Sequence, residues 1–367
     1  MAEAGPGPSS GLLRLFLRRR AELRHALRVG TAAAVSFFLA TALHLPQGYW
    51  AVITAIVVVQ TSIGGTLAAS RDRLIGTGVG ALVGGIAAIA RPQTAWGEGV
   101  ALTLSVGLLS VAASIRPSLK IAPVTAVIML VGSAATREGT LEAAGLRVAE
   151  IAVGSVIGVL VTLFVFPPRA RDQVSAKAQG AMRDLAELQT LHAMRLRGQQ
   201  TEAALTPLHA RIRAALNAIE TSTGEARRET RVRLSSGRAP DAIPRSLWRL
   251  RSDIVMIGRA SSHGWPPEVA ARLAEPAAAL LDAQAEALRA LSSALAAHEP
   301  PAKPDLSAGF AAFREAFGAL EKEVPPGALS FELLEQIFGL AYGLEAFNRN
   351  LSDLAERLAE FAKTRRD

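Results

Sequence analysis

Six stretches of this chain run apolar and nearly free of charge, at about 27–45, 49–65, 74–90, 99–115, 120–136 and 145–166. An α-helix rises about 1.5 Å per residue, so about 20 residues cross a hydrocarbon core of about 30 Å. The last stretch is long enough. The second to fifth are short, and must borrow flanking residues or sit where the bilayer is thin. Short Ala-rich helices also suit the interior of a soluble protein, but six in succession would leave too little polar surface. The pattern therefore predicts an all-α membrane domain of six transmembrane helices over 27–168, preceded by a basic segment over 1–26.

After Phe166-Pro167-Pro168 the pattern changes to charged, amphipathic helix. Leu185, Leu188 and Leu191 share one face of the first such helix. Breaker-rich stretches at 236–244, 262–267, 299–306 and 324–328 divide the rest into four or five helices. The last is the most regular: Leu333, Ile337, Leu340, Leu344, Phe347, Leu351, Leu354, Leu358 and Phe361 alternate spacings of four and three. That is a heptad seam, which packs either within its own bundle or against a second subunit. Ser330 is placed to cap this helix. Residues 169–367 are expected to form a cytoplasmic helical domain.

The apolar half repeats itself weakly. Pro46, Ala51, Thr54 and Ala55 are echoed at Pro117, Ala122, Thr125 and Ala126. Thr66, Leu67, Arg73, Gly80 and Gly84 are echoed at Thr140, Leu141, Arg147, Gly154 and Gly158. Each copy holds three spans, and an odd number of crossings inverts the second copy in the membrane, a plan common in transporters. Gly76, Gly80 and Gly84 recur every four residues, as Gly154 and Gly158 do, and small residues at that spacing let helix backbones approach closely.

Charge sets the expected direction. Arg14, Arg18, Arg19, Arg20, Arg24 and Arg28 precede or open the first span. Arg71 and Arg73 fall in the loop expected after the second, Arg116 and Lys120 after the fourth, and Arg169 and Arg171 after the sixth. Only Arg91 and Arg137, with Arg147 near the start of span six, fall on the other side, so both termini are expected in the cytoplasm. Tyr49, Trp50 and Trp96 then lie at the outer interface. The run Arg18-Arg19-Arg20 before an apolar stretch resembles a leader peptide. No small-residue cleavage site ends that stretch before Leu45-Pro46, so it reads as retained.

Within the spans a few polar residues are candidates for a substrate pathway. Arg147 and Glu150 are three apart and share a helix face. A charge in hydrocarbon costs about 3 kcal/mol or more, so such residues face a cavity or a partner. One reading is a structural ion pair. The other gives Arg147 an anionic substrate, with Glu150 balancing it or carrying a coupling proton. Arg73 is the repeat partner of Arg147, and a guanidinium suits a carboxylate because it binds it bidentately. Gln60, read as lying inside span two, and Thr77 complete the set. Asp72 neutralises a neighbouring arginine. Pro123 either opens span five or kinks it.

Composition narrows the chemistry. The 367 residues carry a net charge of +8, yet the arginines flank apolar segments, so a bilayer surface explains them better than nucleic acid. The chain has no cysteine, hence no disulfide, thiolate metal site or thiol nucleophile. Its six histidines are scattered, and no phosphate-cradling glycine loop is present. No catalytic constellation, metal site or cofactor is expected, and the chain does not read as an enzyme.

Tyr49-Trp50-Ala51, Thr54, Gln60, Thr66, and Arg73 with Gly76, Thr77 and Gly80 resemble the fusaric acid resistance family, which includes the aromatic acid exporters. Arg147, Glu150 and Gly154, in a span ending at Phe166-Pro167, are similar to that family's last membrane helix. The plant aluminium-activated malate channels are more distantly similar. The resemblance covers about 27–170 and reaches the remainder in helical character only. It implies export of organic, often aromatic, carboxylate anions across the inner membrane, by secondary transport or a channel-like route. Larger exporters of the family fuse two six-helix halves. One half here implies a homodimer and raises the question of an accessory periplasmic protein. The competing class is a non-transporting membrane scaffold that acts through its heptad-patterned tail.

Overall fold

The computed structural model describes residues 20–92, 94–132, 139–232, 240–262, 264–323 and 330–363. Arg14, Arg18, Arg19 and Arg137 lie outside the described residues. The chain divides into two compact units, 1–168 and 169–367.

In the first unit, α1 spans Arg20–Ala42, α2 Tyr49–Val58, α3 Ile63–Ala90, α4 Ala95–Ile115, α5 Ala122–Gly132 and α6 Gly139–Phe164. A 3₁₀ turn, Pro117–Leu119, precedes α5. Among the described residues four segments are long and apolar enough to cross a membrane: α1, α3, α4 and Ala144–Phe164 of α6. The other two apolar helices, α2 and α5, have 10 and 11 residues. At about 1.5 Å per residue each reaches only about half of a hydrocarbon core.

This redraws the spans expected at 49–65 and 74–90. The helix breaks after Val58, and Ser62 is extended (φ −139°, ψ 159°), its Oγ accepting a hydrogen bond from Gly65 N at 2.8 Å to start α3. Gln60 therefore lies in the break, not inside a helix. Its Nε2 donates to Val57 O at 2.9 Å, satisfying a carbonyl left over at the end of α2. Its main-chain N donates to Thr66 Oγ1, also at 2.9 Å. Arg71, Asp72 and Arg73 likewise sit inside α3 rather than in a loop. With 28 residues α3 is about 42 Å long, more than the apolar core requires, so its first turns can carry charge. Pro123 opens α5, where its missing N–H is not needed. Pro92 and Pro117 follow the last residues of α3 and α4 and prevent either helix from continuing.

Close backbone contacts hold the unit together. A methyl placed on Gly80 of α3 would lie 3.0 Å from the Ala122 Cα of α5, and closer still to the Ala122 carbonyl oxygen. One placed on Gly154 of α6 would lie 2.9 Å from the Ala51 Cα of α2 and again closer to its carbonyl. Gly84 and Gly158 extend the two contacts to Ala126 and Val58, and Gly76 meets Ile121 and the Ser118 carbonyl. α3 thus lies against the short helix of the second half of the unit, and α6 against that of the first.

The second unit contains α7 Ala170–Leu196, α8 Glu202–Arg231, α9 Ala242–Ala260, α10 Pro267–Ala297, α11 Ser307–Glu323 and α12 Phe331–Lys363. Leu185 and Leu188 of α7, Ile212 of α8, Leu247 of α9, Leu281 of α10 and Leu344 of α12 meet in one apolar core. Every residue of the α12 heptad seam is buried within this unit, so the seam packs in its own bundle. Ser330 Oγ accepts from Leu333 N at 3.2 Å and caps the helix.

His192 of α7 is buried in this core, and a methyl on Gly258 of α9 would lie 2.8 Å from its ring. Both ring nitrogens lack a partner among the described residues. Burial, then the nearby His209 and Arg195, pushes its pKa down to about 4. The folded state therefore excludes a proton that the unfolded chain accepts below about pH 6.5. Stability from this residue is complete above that pH and declines as the pH falls towards 4, by about 3 kcal/mol in total. Unfolding of the full chain in detergent, followed by circular dichroism, should weaken over that window, and His192→Leu should flatten the dependence.

Candidate functional site

The start of α2 meets α6 at a compact polar cluster inside the apolar unit. Arg147 and Glu150 lie one helical turn apart, with Nη1 to Oε2 at 3.3 Å. Their side chains are 8% and 2% exposed. The second carboxylate oxygen, Oε1, accepts a hydrogen bond from the main-chain N of Gln47 at 2.8 Å. Arg147 Nη2 donates to the side-chain oxygen of Gln47, which also accepts from the Tyr49 hydroxyl at 3.1 Å. The guanidinium carbon lies 4.6 Å from the centre of the Trp50 ring, a cation–π contact. The Gln47 end is exposed, so the cluster opens at one edge.

Every charge here is compensated, as burial in an apolar medium requires. Two donors are left over: Arg147 Nε and Trp50 Nε1 are both buried without a partner among the described residues. Gln47 was not singled out in the sequence, and Trp50 was read as an interface anchor. Gln47 follows directly on Pro46, a landmark of the repeat, and Trp50 lies one helical turn farther on.

The remaining candidates lie elsewhere. Arg73 is on α3, part-buried, with Nε buried and unpartnered and no ion pair among the described residues. Gly76 occupies the place that Glu150 has in the second copy, so no carboxylate stands three residues after Arg73 as Glu150 does after Arg147. Arg71 instead pairs with Asp72 at 2.8 Å on the surface. Thr77 is buried, and its hydroxyl has no partner among the described residues. Gln60 is exposed in the α2–α3 break. The structure therefore joins Arg147 and Glu150 into one cluster and leaves Arg73, Thr77 and Gln60 outside it.

Residues 22–367 match the family model of the fusaric acid resistance protein family (FUSC). The match extends well beyond the 27–170 covered by the sequence motifs and includes the second unit. The chain is also similar to aluminum-activated malate transporter 1 of Triticum aestivum, at 31% identity over 186 residues, 44% of this chain and 40% of the relative. A shorter similarity, 38% over 65 residues, links it to the uncharacterized protein YhfK of Escherichia coli (strain K12) and covers 18% of this chain and 9% of the relative. The chain thus spans less than half the length of either relative. The family match and the apolar helices together make it a multi-pass membrane protein. The chain belongs to the fusaric acid resistance protein family.

Proposed function

We propose that this protein exports organic carboxylate anions, aromatic acids among them, across the inner membrane. The observation that carries the reading is the buried Arg147–Glu150–Gln47–Trp50 cluster in an apolar helical unit. Ionised groups persist inside an apolar helical unit where they face a partner, a cavity or a substrate path. The family match and the malate transporter among the relatives favour an anionic cargo.

The unit is organised in this reading as two inverted three-helix repeats, with both termini and the second unit in the cytoplasm. The exchange of contacts supports it: Gly80 meets Ala122 while its repeat equivalent Gly154 meets Ala51, the equivalent of Ala122. The two short helices, α2 and α5, occupy corresponding places in the two halves, a pattern that points to a transport site. A homodimer would supply the paired six-helix arrangement. A scaffold acting through its heptad seam has less support, because that seam is buried within its own unit.

Flux of benzoate and malate into proteoliposomes tests the function. Saturable or conductive movement is expected, and its absence for every carboxylate tried would retire the reading. Arg73→Gln should lower flux about tenfold or more, because hydrogen bonds to a charged group contribute about 1.5–3 kcal/mol. Unchanged flux in that variant removes Arg73 from the path.

A further inference from the structure

We propose that Arg147 and Trp50 form a carboxylate-binding site, and that Glu150 serves to keep its affinity low. The ligand class rests on the export reading, but the site itself rests on the two donors left over in the cluster. Arg147 uses Nη1 on Glu150 and Nη2 on Gln47, and its Nε is buried without a partner. Trp50 Nε1 is also buried without a partner, on the ring that stacks over the same guanidinium at 4.6 Å. Buried donors of this kind are normally satisfied, and a carboxylate oxygen is a strong acceptor for both. Gln47, whose side chain accepts from Arg147 Nη2, is exposed, and a ligand would enter from that edge by displacing it.

Glu150 has a defined part in this arrangement. A lone guanidinium in an apolar pocket would hold a carboxylate tightly and release it slowly. With Glu150 Oε2 at 3.3 Å, the positive charge is already balanced, and an incoming anion meets a like charge as well. Gln47 N holds the Glu150 carboxylate in place at 2.8 Å, so it cannot simply swing away. A transport site needs binding strong enough to admit its cargo and weak enough to let it leave. Arg73, at the corresponding position of the other half, has no such carboxylate among the described residues and lacks the stacked indole, since Ile121 stands where the repeat has Trp50. The attenuated site therefore belongs to one half alone.

The test is calorimetric titration of sodium benzoate into the full-length protein in lipid nanodiscs. Glu150→Gln keeps the shape, keeps an acceptor for Gln47 N and removes the charge. It should bind benzoate about tenfold or more tightly than the wild type, because a like charge a few ångströms away at intermediate dielectric is worth at least that factor. The double variant Arg147→Gln/Glu150→Gln should lose the gain. Trp50→Phe in the Glu150→Gln background keeps the ring, removes the N–H and should lose several-fold in affinity. Benzoate binding no tighter in Glu150→Gln than in the wild type, or a gain that survives in the double variant, overturns the proposal. If Glu150→Gln does not fold, Glu150→Asp, whose carboxylate stands farther from Arg147, should show a smaller gain, and no gain in it is equally fatal. The export reading is judged separately: a tenfold gain in binding with no wild-type flux keeps the site and retires transport, while flux without any gain does the reverse.

Discussion

Gly154→Val is expected to prevent the membrane unit from assembling. A β-carbon at this position would lie 2.9 Å from both the carbon and the Cα of Ala51, and nearer still to the Ala51 oxygen. These are main-chain atoms of α2, so no side-chain rotation relieves the clash, and α6 must move away along its length. Overpacking of a close interface costs about 1–3 kcal/mol even when the neighbours can give, and here they cannot. In a bilayer the loss is sharper still, because helices gain no hydrophobic free energy from one another and depend on close packing. Gly80→Val should fail for the corresponding reason, against Ala122 and Thr125. Gly78, Gly85 and Gly145 have nothing within 4 Å of a built β-carbon. Alanine there should be neutral, or stabilising by up to about 1 kcal/mol through helix propensity. Size-exclusion profiles and thermal melts in mild detergent separate the two groups, and a wild-type melt for Gly154→Val would refute the packing argument.

Arg147→Gln is expected to destabilise the unit by about 3–5 kcal/mol, because it strands Glu150 as a buried, uncompensated carboxylate. Glu150 is 2% exposed, and its one other polar contact among the described residues is the Gln47 main-chain N–H. Arg147→Gln is therefore a poor test of transport, since lost flux would follow from misfolding. Removing both charges together should recover most of the stability, and a double-mutant cycle on the melting temperatures gives the coupling directly. Single losses that simply add in the double variant would show that the two side chains act independently.

The parts of this fold that were legible in the sequence depend on periodicity and on local chemistry. The α12 seam was readable because a heptad pattern keeps one face apolar over many turns, whatever packs against it. The Ser330 cap was readable because capping joins a side chain to a backbone N–H three residues on. The family resemblance carried by Tyr49-Trp50-Ala51 and Arg147 with Glu150 was borne out by the match over 22–367.

The α2–α3 break was not legible. Val57, Val58 and Val59 continue the apolar run without interruption, and hydropathy does not register a backbone that leaves helical geometry. Conversely, the charges at Arg71 and Arg73 interrupt the apolar pattern and read as a loop, although both lie on continuous helix. The candidate site was half legible. Spacing alone placed Arg147 and Glu150 on one face. Their other partners come from Gln47 and Trp50, about a hundred residues earlier in the chain.

By itself, then, the sequence determined which segments are apolar, which face of each helix is sheltered and which charges must be reconciled with burial. Those properties belong to neighbours within a turn or two. Only the tertiary structure decided that α6 lies against α2 through Gly154 and Ala51, and that this contact brings the Gln47 N–H to Glu150 and the Trp50 ring to Arg147. Such contacts follow from how two helix surfaces interlock, which depends on every side chain along both and has no signature at any single position.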